Sequence, residues 1–205
     1  MLQIPVKAAA VRNLTDARYF AAREVEWVGF AIEPGDGNQV AEVRAMKEWL
    51  DGVQFMAEFT LQDADEIRQV AEYLQFDTVQ VSHFTSVDTV QALAGLHVHK
   101  TVVVNPEDTL EGVLQHMEEF RGLVAAFQLD LTRVPASQWP LAHIQRIAQD
   151  HAIWIDRVWE PDTLLEWWGE VPAEGITVRG GEEEKVGYKS FDELDDLFDA
   201  LEILE

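Results

Sequence analysis

Trp27-Val28-Gly29-Phe30-Ala31-Ile32 is followed by the turn Glu33-Pro34-Gly35-Asp36-Gly37-Asn38 and then by a polar and apolar mixture reaching Leu50. The first six residues are aromatic, β-branched or small, the composition of a buried strand. The Pro-Gly and Asp-Gly pairs punctuate a turn, and Asn38 is suited to cap a helix over the residues after it. A second β-rich run, 53–59, comes next. Strand, helix and strand in sequence form a βαβ unit, whose strands lie parallel because the helix carries the chain back.

The same cycle extends in both directions. Upstream, a strand is expected over 3–9, then a helix capped by Asn13 or Thr15 and running to Glu24. Downstream, a helix over 62–75 opens with Asp63, Asp65 and Glu66, acids that suit the positive end of the helix dipole. Further strands are expected over 78–82, 97–104, 123–130, 152–156 and 175–179. Helices follow over 86–94, 106–120, 137–150, 161–169 and 190–204, with Pro106 and Pro161 at first-turn positions. Eight such units in one uninterrupted series predict an α/β chain closed as a (β/α)8 barrel, with eight parallel strands in a single domain over 1–205. A doubly wound open sheet is the alternative, but it usually carries a glycine-rich first turn, and Ala8-Ala9-Ala10-Val11-Arg12 has no glycine.

Composition excludes several chemistries. The 205 residues contain no cysteine, so disulfides, thiolate nucleophiles and cysteine-based metal sites are ruled out. The hydrophobic fraction of 47% supports a sizeable core. No stretch is apolar over the about 18 residues of a membrane span. The start, Met1-Leu2-Gln3-Ile4-Pro5-Val6-Lys7, lacks the basic and apolar regions of a secretory signal, so a cytoplasmic location and no membrane partner are expected. A net charge of −23 repels a nucleic-acid backbone, so nucleic-acid binding is not expected. The six histidines show no metal-ligand spacing. His97 and His99 share a face of their strand and read as structural, and no metal is expected. The acids of the last helix, Asp192, Glu193, Asp195, Asp196 and Asp199, read as a solvated face backed by Phe191, Leu194, Leu197, Phe198 and Leu201.

In (β/α)8 barrels the chemistry sits at the carboxyl ends of the strands. That rule selects Lys7, Arg12, Glu33, Glu58, Gln80, His83, Lys100, Asp130, Arg133, Asp156, Arg157 and Arg179. Six of the 15 lysines and arginines fall on this rim of an acidic chain. They point to a pocket for an anionic, phosphorylated small molecule, or else to internal pairing with Glu33, Glu58, Asp130 and Asp156. Arg157, Arg179, Gly180 and Gly181 are the phosphate candidates, because paired glycines let backbone N–H groups approach an oxyanion and barrels often bind phosphate after strands 7 and 8.

Val6-Lys7-Ala8-Ala9-Ala10-Val11-Arg12 and the following Asn13-Leu14-Thr15-Asp16-Ala17 resemble the phosphoribosylanthranilate isomerase pattern V-K-I-C-G-I-T with a later E-D-A. Val28-Gly29-Phe30 is similar to A-x-G-F, Asp77-Thr78-Val79-Gln80-Val81 to D-x-V-Q-L, and Val98-His99-Lys100-Thr101 to V-I-K-A. Gly175-Ile176-Thr177-Val178-Arg179-Gly180-Gly181 is similar to G-V-D-V-S-S-G, and Gly187-Tyr188-Lys189 to G-x-K. The matches run the length of the chain in order. The resemblance implies a barrel, a cofactor-free Amadori rearrangement in tryptophan biosynthesis, and a monomer or homodimer. It also implies a cysteine base ending strand 1 and an aspartate acid ending strand 6.

The departures fall on that chemistry. Ala9 stands at the base position and Ala10 at its glycine neighbour. A methyl group accepts no proton, and general acid–base catalysis contributes roughly 10²–10⁴-fold per group. The acid position falls on Gln128 in one alignment and on Asp130 in another. Thr132-Arg133-Val134-Pro135-Ala136-Ser137 lacks the glycines expected after strand 6. Asp156-Arg157-Val158 replaces G-G-L, Gln80-Val81-Ser82-His83 replaces Q-L-H-G, and the loop from Glu33 to Asn38 lacks an arginine. The sequence therefore favours a barrel that has lost the isomerase reaction and binds an anion, or serves as an interaction or regulatory protein. The alternative is an active isomerase with a substitute base. Lys7, Glu58 and Asp156 are the stand-ins, and Lys7 needs a pKa lowered by burial.

Overall fold

The computed structural model describes residues 1–180 and 190–202. Strands and helices alternate without a break: β1 (Val6–Val11), α1 (Leu14–Ala22), β2 (Trp27–Ile32), α2 (Gly37–Lys47), β3 (Gln54–Phe59), α3 (Ala64–Leu74), β4 (Thr78–Val81), α4 (Val87–Ala92), β5 (His97–Val103), α5 (Leu110–Glu118), β6 (Ala126–Asp130), α6 (Leu141–Ala148), β7 (Ile153–Asp156), α7 (Pro161–Trp168), β8 (Gly175–Arg179) and α8 (Asp192–Leu201). The strands close into a barrel in sequence order, all parallel, with β8 pairing back onto β1. The (β/α)8 architecture expected from the alternation is the one observed.

Short polar side chains start the helices. Asn13 accepts from the Asp16 N–H at 2.9 Å, and Asp63, Ser86 and Thr109 do the same for α3, α4 and α5. Two starts differ from expectation. Asp36, not Asn38, caps α2, accepting from the N–H groups of Asn38 and Gln39. The fifth helix begins at Leu110 rather than Pro106, because Asp108 folds back onto the Asn105 N–H at 2.7 Å and holds a turn there. β1 also starts and ends later than the expected 3–9, which places Ala9 inside the strand, at a register irregularity between Ala8 and Val11.

The apolar core lies between the strands and the helices. Outward-facing Val6, Ala8, Val28, Phe30, Val79, Val81, Ile155 and Ile176 are buried there, packed with Phe20, Ile67, Leu74, Ile144 and Phe198 from the helices. The barrel interior is different in kind. Lys7, Gln80, His99, Gln128, Asp156 and Thr177 are all buried polar residues, where branched apolar side chains usually fill the layers. α8 closes the ring against α1. Arg23 pairs with Asp195, with Asp199 at 3.0 Å and with Glu202 at 3.2 Å, while Tyr19 donates to Asp195 and stacks on Phe191. Two of the acids read as a solvated face are therefore bound to the neighbouring helix. Gly181, Glu182-Glu183-Glu184 and Gly187-Tyr188-Lys189 lie outside the described residues.

Candidate functional site at the carboxyl end of the barrel

Strand alternation aims every second side chain into the barrel. From β1 that brings in Lys7 and Ala9, from β3 Glu58, from β4 Gln80, from β6 Gln128, from β7 Asp156 and from β8 Thr177 and Arg179. Lys7 has no exposed surface. Its ammonium donates to Gln80 Oε1 and, at 3.3 Å, to Gln128 Oε1, and it stands 3.1 Å from Glu58 Oε1 as an ion pair. Gln128 is shared further, accepting from Thr177 Oγ1 at 3.0 Å and donating to Asp156 Oδ2 at 3.1 Å. Burial pulls the Lys7 pKa below its ordinary value, and the neighbouring Glu58 works against that pull.

Ion pairs cover the network on the mouth side. Arg179 holds Asp156 with both guanidinium nitrogens, one of them at 2.5 Å. Burial pushes the Asp156 carboxyl up from its usual range, while the Arg179 guanidinium and the Gln128 amide oppose it. Glu58 turns its other oxygen to the Ala10 N–H at 2.8 Å. Its carboxylate fills the space beside Gly29, where any Cβ would overlap it, so Gly29 is the residue that admits Glu58 into the barrel. Ala9 is buried with only its methyl group to offer.

Beside this closed centre lies a cleft of about 480 Å³ between the ends of β7 and β8 and the start of α8. Arg157, Trp159 and Arg179 line it from the strand ends, and Phe191, Asp192, Glu193 and Leu197 line it from α8 and the residue before it. Arg179 is committed to Asp156. Arg157 lies 4.3 Å from the Trp167 ring centroid and 5.6 Å from that of Trp159, with no ion pair among the described residues. Gly180 is half-buried at the end of β8, and its partner Gly181 lies outside the described residues.

Of the remaining rim residues, only Asp130 joins the mouth. Lys100 points outward over the Phe120 ring, donating to the carbonyls of Ser82 at 2.6 Å and His83 at 2.7 Å, and burial lowers its pKa to about 8. His83 accepts from the Val103 N–H and leans on His116 of α5. Arg12 pairs with Glu33 at the surface, and Arg133 reaches Asn105. Asp130 is half-buried at the mouth and accepts from both Thr132 N–H and Oγ1. Of the two residues considered for the acid position, Gln128 is the one inside the network. Thr177 was not among the sequence candidates. Its place two residues before Arg179 on the same strand face is the signal that identifies it.

Neither a protein-family profile nor a curated protein matches the sequence. Solved structures do. Phosphoribosylanthranilate isomerase from Thermotoga maritima superposes with a TM-score of 0.76 at 20% identity, covering 97% of this chain and 98% of that one. The Thermus thermophilus enzyme gives 0.74 at 22% identity over the same shares. An isomerase in complex with reduced 1-(o-carboxyphenylamino)-1-deoxyribulose 5-phosphate gives 0.75 at 19%. The chain has the fold of the phosphoribosylanthranilate isomerases. A truncated 3-deoxy-D-arabino-heptulosonate 7-phosphate synthase from Thermotoga maritima also superposes, with a TM-score of 0.67 at 15% identity, so the isomerase fold by itself does not carry the isomerase reaction.

Proposed function

We propose that this phosphoribosylanthranilate isomerase-like barrel does not perform the Amadori rearrangement and instead holds a small anionic, phosphorylated molecule in the cleft beside Arg157. One observation carries the first half. The base position is the methyl group of Ala9, and the nearest stand-in, Lys7, is sealed beneath it by Glu58, Gln80 and Gln128. A general base has to reach the proton it removes, directly or through one water. Asp156 and Glu58, the other stand-ins, are engaged by Arg179 and by the Ala10 N–H. The second half rests on Arg157, a cation in a cleft at the end where barrels often bind phosphate. Asp192 and Glu193, which also line the cleft, favour a ligand that carries hydroxyl donors as well, as a phosphosugar does.

Purified protein incubated with phosphoribosylanthranilate is expected to give no conversion above the uncatalysed rate. Turnover at an enzyme's rate would overturn the reading. Ribose 5-phosphate at millimolar concentration is expected to raise the melting temperature, and Arg157→Ala to remove the rise. A second reading is a protein-docking face, favoured by exposed Leu61, Phe84 and Val158 on loops at this end of the barrel. It takes precedence if no phosphorylated ligand shifts the melting temperature.

A further inference from the structure

A second cavity, of about 280 Å³, opens at the opposite, amino-terminal end of the barrel. Its lining includes Trp27, His99 and Trp154, with the carboxylates of Glu26 and Glu174 at the edge. Trp154 is buried and lies across Gly175, where any Cβ would overlap both the indole and the Pro5 carbonyl, so the glycine admits the ring and the neighbouring strand together. Trp27 is fixed from the other side. Its Nε1–H donates to Glu26 Oε1 at 3.2 Å, and its ring centroid is 6.0 Å from that of His99.

Three features of this cavity select one kind of guest. No lysine or arginine lines it, and Glu26 and Glu174 have no ion-pair partner among the described residues, so the charges at its edge are negative, with the Lys7 ammonium lying deeper in the barrel beyond His99. His99, 6% exposed, lines the cavity with its Nδ1 unmatched by any hydrogen bond among the described residues, and burial and then Lys7 keep the ring neutral. The partly exposed indole of Trp27, with the edge of the buried Trp154 beside it and carboxylates nearby, attracts a cation that also has apolar surface. A phosphate or carboxylate would be repelled, and a hydrated metal ion would gain nothing from the indoles. The volume lies at the lower end of the roughly 300–1,000 Å³ range of drug-sized sites, which suits a small guest. The chain's charge of −23 concentrates cations around it.

We propose that this cavity binds a small organic ammonium ion. The site is independent of the Arg157 cleft, at the other end of the barrel. The test is calorimetric titration of the whole protein with choline chloride and with butylammonium chloride, each against sodium chloride at equal ionic strength and against neutral 3,3-dimethylbutanol. Saturable binding of at least one ammonium ion is expected, with none of sodium or of the neutral isostere. Preference for butylammonium identifies a guest that donates an N–H to the site, and preference for choline a quaternary one held by the indoles. Glu26→Gln with Glu174→Gln is expected to weaken binding roughly fivefold, the scale of an exposed charge pair, and Arg157→Ala to leave it unchanged. Glu174→Gln alone, at an exposed position, carries the test if the double variant does not fold. Absence of saturable binding, equal binding of the neutral isostere, or an affinity indifferent to both carboxylates would overturn the proposal.

Discussion

At Ala10 the chain takes a φ of 56°, the left-handed region that an L side chain enters at a cost. The residue sits at the irregularity in β1, and its N–H turns to the Glu58 carboxylate. The phosphoribosylanthranilate isomerase pattern has glycine at this position, the residue for which that conformation is free of strain. Ala10→Gly is therefore expected to stabilise the protein by about 0.5–1 kcal/mol, the left-handed penalty less the added freedom of the unfolded chain. Urea unfolding should show a higher midpoint with an unchanged slope. Ala9 was legible in the sequence as a lost proton acceptor because the absence of a functional group is a property of the residue alone. Whether Lys7 can replace it was not legible. Burial does lower the lysine's pKa as a base requires, but the same burial closes it off.

Among the elements, α8 is held by contacts that no local pattern announces. Arg23, at the end of α1, gathers Asp195, Asp199 and Glu202, more than 170 residues away along the chain. Its side chain is 22% exposed and its partners are 42–68% exposed, so screening limits each pair. Arg23→Ala is expected to cost about 1 kcal/mol at low salt and less at high salt, read as a fall in melting temperature that narrows as sodium chloride is added. The helix itself was legible from the spacing of Leu194, Leu197, Phe198 and Leu201, because amphipathic periodicity is local. Helix starts were legible where a short polar side chain stands before the periodic run, as at Asn13. They were misplaced at α5, where a turn closed by Asp108 precedes the cap.

Across the whole molecule, acid stability follows from histidines held neutral. The pKa of His99 is pushed down to about 3 by burial and then by Lys7, and burial also lowers His83, His116 and His151. Their ordinary value is about 6.5, so between that pH and the folded-state values the unfolded chain binds more protons than the native one. Stability is expected to be intact above pH 6.5 or so and to fall progressively as pH drops toward 3, with His99→Phe flattening the decline. Denaturant midpoints measured across that range for both proteins check it. The sequence by itself determined the eight repeating units, their parallel closure, the lack of any thiol, and the methyl group at residue 9. All of these depend on residue identity and on periodicities within about 30 residues. Only the tertiary structure decided which charges meet. Lys100 shares the strand-end sequence signal of Asp156 and Arg179 yet faces the helices rather than the lumen, because successive side chains of a strand alternate faces and its neighbour His99 takes the inner one, while His83 lies in the turn after β4 and is aimed by that turn. The pairing of Arg179 with Asp156 across two neighbouring strands, and the sealing of Lys7 beneath Glu58, exist only once the ring has closed.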